Sequence, residues 1–428
     1  MNAPSLELIA SCITGYDPNA LPVAQAQEFI ARLVPKVEAV EQLPIRSALG
    51  RVLARDVISA IDVPSHDNAA MDGYALRGMD LETEGPTLLP VAGAGLAGQP
   101  VVSAVPPAFC VRIMTGAVIP DGLDTVVPQE FTSLLPDGRV SIPAGIARTG
   151  DNRRLRGEDL ARGEAALHSG RVLRPADLGL LASLGLAEVP VYRRLRVAFF
   201  STGDELRSVG EPLDEGCVYD SNRYTLWGML SRLGVELIDM GVVRDEPDAL
   251  REAFSRAAEA ADAVITSGGV SVGEADHTKR IMAELGEVLF WRVAMRPGRP
   301  LAIGRIGRAE RSAILFGLPG NPVAVMVTFY AFVRNALLAM AGAAVEPLPV
   351  LQAVSASALR KKPGRTEYQR GTLRPGADGR WQVEITGSQG SGILRSMSQA
   401  NGLVVLHHGQ GNVAAGDLVD VLPFDGLV

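Results

Sequence analysis

The strongest constraint on how this chain can fold lies in residues 196–322, where apolar strand-like runs alternate with helical segments and three of the runs end in glycine-rich turns. RVAFFS leads into Thr202-Gly203-Asp204-Glu205, and DAVITS leads into Gly268-Gly269-Val270-Ser271-Val272-Gly273. SAILF leads into Gly317-Leu318-Pro319-Gly320-Asn321-Pro322. SNRYTLWGMLSRLG, EPDALREAFSRAAEAA and HTKRIMAELG read as helices, the first with Ser221 as its expected cap. Alternation of this kind predicts a parallel, doubly wound α/β sheet. Ligands of such sheets sit beyond the carboxyl ends of the strands, so the three turns are expected on one rim.

The rest of the chain has other textures. Residues 22–34 form an amphipathic helical pattern, residues 46–147 are short-stranded and cut by Gly and Pro, and Pro175 opens a short helix in a charged stretch. After Pro347 short strands and glycine turns return. The expected organisation is a helical, elongated connector from 1–45 with 148–190, a β-rich insertion domain at 46–147, an α/β domain at 191–345, and a small C-terminal β-barrel or sandwich at 346–428. Residues 323–345 are apolar enough to span a bilayer, but Arg334 and Asn335 stand mid-way, where a charge costs about 2.5–3.5 kcal/mol. A buried helix is expected there and no membrane association. The formal charge of −7 lacks the basic excess that sequence-independent nucleic-acid binding needs. Cys12, Cys110 and Cys217 form no C-x-x-C pair, and no basic-led apolar segment opens the chain, so a cytoplasmic location is expected.

Two motifs are decoys. Gly93 to Gly98 spell G-x-G-x-x-G, but Pro100, Pro106 and Pro107 follow where a helix would have to receive a pyrophosphate. Ser65-His66-Asp67 has triad letters, yet a triad is a spatial arrangement. His66, His168, His277, His407 and His408 have no metal-ligand spacing.

The rim carries the chemistry. Glycines at Gly203, Gly268, Gly269 and Gly320 let backbone N–H groups approach an anion, and Ser201, Ser267 and Ser271 add hydroxyls. Asp204, Glu205, Asp245 and Asp276 would repel an anionic ligand unless a cation bridges them, and Mg²⁺, which takes one or two carboxylates plus substrate phosphates, suits that role. Asp276 also reads simply as a cap of the following helix. Lys279 adds positive charge, and Arg296 and Arg299 flank a Pro-Gly turn where two guanidinium forks can grip a tetrahedral oxyanion.

These blocks, in this order, resemble one family. STGDEL, SGGVSVGEAD with Thr278-Lys279, RPGRP and GLPGNP, together with DNAAMDGYA at 67–75 and RIMTG at 112–116, are similar to the molybdopterin molybdenumtransferases, a group akin to the gephyrin E domain. The resemblance runs from about residue 22 to 424. It implies a molybdopterin-binding α/β domain within a four-domain protomer of a homodimer. It further implies insertion of molybdate into adenylylated molybdopterin, with Mg²⁺ and release of AMP, and transfer of the product to molybdoenzymes or their chaperones. Positions carried over are Asp72, Thr115, Glu205, Asp245, Asp276, Arg296, Arg299, Pro319, Pro322, Arg370 and Ser391.

In the resulting expectation Asp276, Glu205, Asp245 and Asp72 are catalytic. Thr115, Ser201, Gly203, Asp204, Ser267, Gly268, Gly269, Ser271, Lys279, Pro319, Gly320, Asn321 and Pro322 bind the pterin substrate. Arg296, Arg299, Arg370 and Ser391 bind molybdate, and Glu205 and Asp276 hold the metal. Asp72 and Thr115 would complete the site across a dimer interface. Arg296 and Arg299 replace lysines usual in the family, and Ala324 replaces a frequent serine. Two alternatives are a molybdopterin adenylyltransferase and a gephyrin-like scaffold without catalysis. The first lacks the flanking domains, and the second needs partner-binding appendages.

Overall fold

The computed structural model describes residues 5–270, 277–308 and 311–424. The chain divides into two units, Met1–Glu41 with Gly50–Ala54 and Pro190–Val428, and Gln42–Leu49 with Arg55–Val189.

In the first unit a six-stranded sheet is built from β1 (Arg196–Thr202), β2 (Glu236–Val243), β3 (Ala263–Ser267), β4 (Gly286–Arg292), β5 (Pro300–Arg308) and β6 (Arg311–Leu318), in the order β2-β1-β3-β6-β5-β4. The four strands β2, β1, β3 and β6 are parallel, as expected. Strand β5 runs antiparallel to both of its neighbours, β6 and the edge strand β4, so the sheet is mixed where the sequence predicts a parallel one. The links between β4, β5 and β6 are too short for a crossover helix, and antiparallel neighbours need none.

Alternate residues of β1 feed two cores. Ala198 and Phe200 join one with Leu250, Phe254 and Ile281, and Phe200 meets Phe254 edge-on at 5.0 Å. Val197 and Phe199 join the other with Leu226, Leu230 and Val323. Helices α1 (Leu6–Ser11) and α2 (Val23–Leu33) also pack into this second core. Phe29 of α2 stands edge-on to Trp291 at 5.0 Å, and Trp291 donates from Nε1 to the Tyr16 hydroxyl at 2.8 Å. The apolar face of α2 therefore belongs to the α/β core, whereas the expectation grouped it with 148–190.

On the sheet lie α3 (Ser221–Arg232), α4 (Pro247–Ala260) and α5 (His277–Leu285). The cap of α3 is Asp220 and not Ser221: its carboxylate accepts from Arg223 N at 3.1 Å. The long apolar segment is helical over Pro322–Met340, as α6 (Pro322–Thr328), a π-helical turn over Phe329–Val333 and α7 (Arg334–Met340). It is long and apolar enough to cross a membrane, but most of it is buried inside the protein.

Strands β7 (Leu351–Ser355), β8 (Thr366–Pro375), β9 (Trp381–Ile385), β10 (Gly402–Leu406) and β11 (Leu418–Pro423) close on themselves through β8–β9, β9–β7, β7–β11, β11–β10 and β10–β8 pairs. The result is the expected C-terminal barrel. Met295 and Arg296 pair in parallel with Thr366 and Glu367 of β8, so the arginine turn is stitched to the barrel edge.

The second unit holds another six-stranded sheet, in the order Thr125–Pro128, Gly73–Leu76, Cys110–Ile113, Thr87–Gly95, Arg139–Ile142, Ser133–Leu134. Gly93 and Gly95 end the strand Thr87–Gly95 and the chain turns through a Leu96–Gln99 pair with no helix after it, so no dinucleotide motif exists there. Asp67 is engaged by Arg153, and by the Arg156 backbone N–H at 2.7 Å, which leaves the neighbouring Ser65 and His66 without a triad carboxylate.

Candidate functional site

Strands β1, β3 and β6 are adjacent and parallel, so their carboxyl ends open on one edge. A cleft of about 790 Å³ stands there. Its floor is Ser267, Gly268 and Gly269, and its sides are Gly203 with Glu205, Asp245, Pro319 to Asn321, and the turn 296–300. Gln389, Gly390 and Ser391 close it from the barrel.

The floor is glycine for steric reasons. Gly268 has φ +95°, and a Cβ on it would lie 2.5 Å from the Thr202 carbonyl oxygen. Gly269 has φ +65°, and a Cβ there would lie 2.5 Å from the Thr278 side chain. Only a bare backbone fits; the Gly268 N–H is given to the Leu318 carbonyl at 3.0 Å, so Gly269 supplies the amide of this pair that an anion can approach.

Positive and negative groups face each other across this floor. Arg296 and Arg299 are exposed on the turn, and neither has an ion-pair partner among the described residues. The turn presses on α6, since a Cβ on Gly298 would lie 2.5 Å from Thr328 Cγ2. The Glu205 carboxylate curls over Gly203, and Asp245 accepts from the Thr278 hydroxyl at 3.3 Å while its N–H donates to Asp204 Oδ1 at 3.2 Å. Among the described residues no three His, Cys, Asp or Glu gather as a metal cage. The two cleft carboxylates, Glu205 and Asp245, fit the donor chemistry of Mg²⁺ when substrate phosphates supply further oxygens. Asp276 and Ser271, both expected in the site, lie outside the described residues.

Several expected ligands stand elsewhere. Ser201 and Ser267 are register partners on β1 and β3, and their hydroxyls bond each other at 2.9 Å, so Ser267 lines the floor with its hydroxyl already engaged. Ser201 also donates to Asp220 at 2.9 Å and is fully buried, so it does not line the cleft. Asp204, Lys279 and Pro322 do not line it either: Asp204 faces a neighbouring groove, the Lys279 ammonium stands 5.8 Å from the Phe290 ring centre, and Pro322 opens α6.

Arg370 is the largest change. Its side chain is fully buried and donates to Ser396 Oγ at 3.0 Å and to the carbonyls of Gln389, Ser388 and Gly390 at 3.1, 3.2 and 2.9 Å. The guanidinium clamps the barrel loop beside the cleft and offers no fork to it. Burial first, and then the like charge of Arg296, pull its pKa down to about 10. Ser391, on the clamped loop, does line the cleft, and its carbonyl accepts from Val323 N at 3.1 Å.

Asp72 and Thr115 lie in the second unit and bond each other. Asp72 Oδ1 accepts from the Thr115 hydroxyl and backbone N–H, both at 2.7 Å, and these bonds lower the Asp72 pKa. Two cleft residues escaped the sequence reading. Asn222, second in α3, donates to the Gly320 carbonyl at 2.7 Å and leaves its buried Oδ1 without a partner among the described residues; Gln389 sits in a loop without a motif. An asparagine just inside a helix after a capping aspartate was the one available signal for the first.

Fold and cleft together define an α/β protein that takes an anionic ligand at the carboxyl edge of its parallel strands, with a β-barrel beside the site. Family models match along the chain: the MoeA N-terminal region (domain I and II) at residues 21–185, a probable molybdopterin binding domain at 198–339, and the MoeA C-terminal region (domain IV) at 352–424. The molybdopterin molybdenumtransferase of Haemophilus influenzae is 42% identical, over 95% of this chain and 100% of that protein. The molybdopterin molybdenumtransferase of a Nostoc species is 39% identical, over 94% and 93%. A molybdopterin biosynthesis moeA protein from Pyrococcus horikoshii superposes with a TM-score of 0.81 at 28% identity, covering 94% of this chain and 99% of that one. The chain belongs to the molybdopterin molybdenumtransferase (MoeA) family.

Proposed function

We propose that this protein inserts molybdate into adenylylated molybdopterin, the last step in making molybdenum cofactor, with release of AMP. The observation that carries this is one cleft lined by the bare glycine backbone of 268–269, by two arginines without carboxylate partners among the described residues, and by the barrel's Ser391. A ligand with a phosphate at one end and a partner oxyanion at the other matches that division of charge.

The amide of Gly269 holds the phosphate-bearing part of the pterin substrate, and Gly268 keeps the floor low enough for it to approach. Arg296 and Arg299 bind the tetrahedral oxyanion and present it to the dithiolene sulfurs. Glu205, Asp245 and Asp276 would hold Mg²⁺, which supplies neutralisation of phosphate charge when bound. Water attacks the phosphoanhydride, the P–O bond to the leaving phosphate breaks and AMP departs, while the cleft supplies positioning and charge neutralisation for that step. The protein acts in the cytoplasm and delivers its product to molybdoenzymes or their chaperones. It works as a homodimer, with Asp72 and Thr115 of one subunit completing the cleft of the other.

The test is AMP release by purified protein from adenylylated molybdopterin, Mg²⁺ and molybdate. Asp276→Asn should abolish most of it; unchanged release would remove the metal role. Mixing Asp72→Asn with Glu205→Gln protein should restore part of the activity that each lacks alone.

A further inference from the structure

Gln389 lines the cleft beside Gly390 and Ser391, yet its carboxamide turns back into the protein. Oε1 accepts the backbone N–H of Arg370 at 2.8 Å, and Nε2 donates to the carbonyls of Thr386 at 2.8 Å and Arg370 at 3.3 Å. The Gln389 carbonyl in turn accepts from Arg370 Nη1 at 3.1 Å. Residue and arginine thus grip each other from both sides.

What they grip needs holding. Ser391 stands between Gly390 and Gly392, whose own backbones can take many conformations and so leave its position loosely fixed. Its far side is tied to the start of α6 through Val323. Its near side is tied to strand β8 of the barrel by the Gln389 and Arg370 bonds, and within the loop by the Ile393 N–H to the Gly390 carbonyl at 3.3 Å. With its oxygen and both amide protons engaged, Gln389 has little to offer a ligand directly, and its effect must pass through the loop.

We propose that Gln389 is a positioning residue for the oxyanion: it sets Gly390 and Ser391 at the separation from Arg296 and Arg299 that a tetrahedral dianion needs. The inference rests on the oxyanion role proposed above and adds the residue that fixes the geometry. Loss of such outer contacts weakens binding without removing a ligand atom.

The experiment is calorimetric titration of the full chain with tungstate and, separately, with metal-free molybdopterin, alongside steady-state kinetics. Gln389→Met keeps the volume and removes all three side-chain hydrogen bonds. It should weaken tungstate about tenfold and raise the molybdate KM by a like factor, with kcat and molybdopterin affinity held, while the stranded Arg370 N–H and carbonyls lower the melting midpoint. Gln389→Glu should weaken tungstate further, because a carboxylate cannot donate to two carbonyls and brings negative charge to the cleft. Tungstate binding by Gln389→Met equal to wild type overturns the proposal. So does an equal loss of tungstate and molybdopterin binding, the mark of a merely structural role. Should the Met variant not fold, the Glu variant is judged by the same two criteria. Wild-type protein that binds molybdopterin but no tungstate would instead overturn the oxyanion role itself.

Discussion

The two walls of the cleft are built on opposite principles. The α/β wall presents backbone: Gly268 and Gly269 take conformations and contacts that no side chain could share. The barrel wall is held by side chains: Arg370, Gln389 and Ser396 lace a glycine-rich loop that has no regular structure of its own. One wall fails by steric intrusion, and the other by an incomplete hydrogen-bond set. A cleft that must hold a large organic phosphate and a small oxyanion gains from the pairing, since the first wall is rigid by sterics and the second adjustable through its lacing.

The largest effect is expected from Gly268→Ala. The added methyl would meet the Thr202 carbonyl, and the positive φ adds about 1–3 kcal/mol of strain. Displacement of the floor should lower AMP release about a hundredfold. The matching change on the other wall, Gly392→Ala, meets nothing within 4 Å and should leave turnover near wild type. Equal losses in the two variants would break the contrast.

Next comes Arg370→Met. It strands three carbonyls and a hydroxyl, and should lower stability by about 3 kcal/mol, read by urea unfolding. Tungstate affinity should fall with it, while AMP affinity stays. The pH dependence has a definite sign. Because the folded-state pKa of Arg370 lies below its ordinary value, its charge opposes folding below pH about 10, and that opposition is relieved as pH rises through it. Anion binding runs the other way, weakening over the same range, which a tungstate titration against pH will show.

Arg296→Ala comes third. It should weaken tungstate about tenfold at low salt and less at high salt, since the side chain is exposed and screened. It should also move the Arg370 titration upward by removing a like charge.

How far these walls were legible in sequence follows from their construction. Turns after β1, β3 and β6 could be placed because strand–helix alternation puts parallel strand ends on one edge. The antiparallel edge could not, because runs such as LAIGRI look alike in either direction. The apolar face of α2 was visible, but its partner Trp291 was not, since nothing local names a partner some 260 residues away. Ser201 was misplaced because alternation along β1 does not reveal that its register partner is another serine. Arg370 was singled out through a family likeness, while its carbonyl partners at 388–390 carry no motif that could have announced the clamp.

The smallest effect tests the second unit alone. Thr115→Val removes the hydroxyl that does most to lower the Asp72 pKa, and should return it toward the ordinary aspartate value in a carboxyl NMR titration.

Diffraction at the tungsten absorption edge from crystals grown with tungstate would test the central claim most directly. The expected result is one strong anomalous peak within hydrogen-bonding reach of Arg296, Arg299 and Ser391. A peak in the apolar groove lined by Ile30, Phe332 and Leu422, with none in the glycine-floored cleft, would contradict the account.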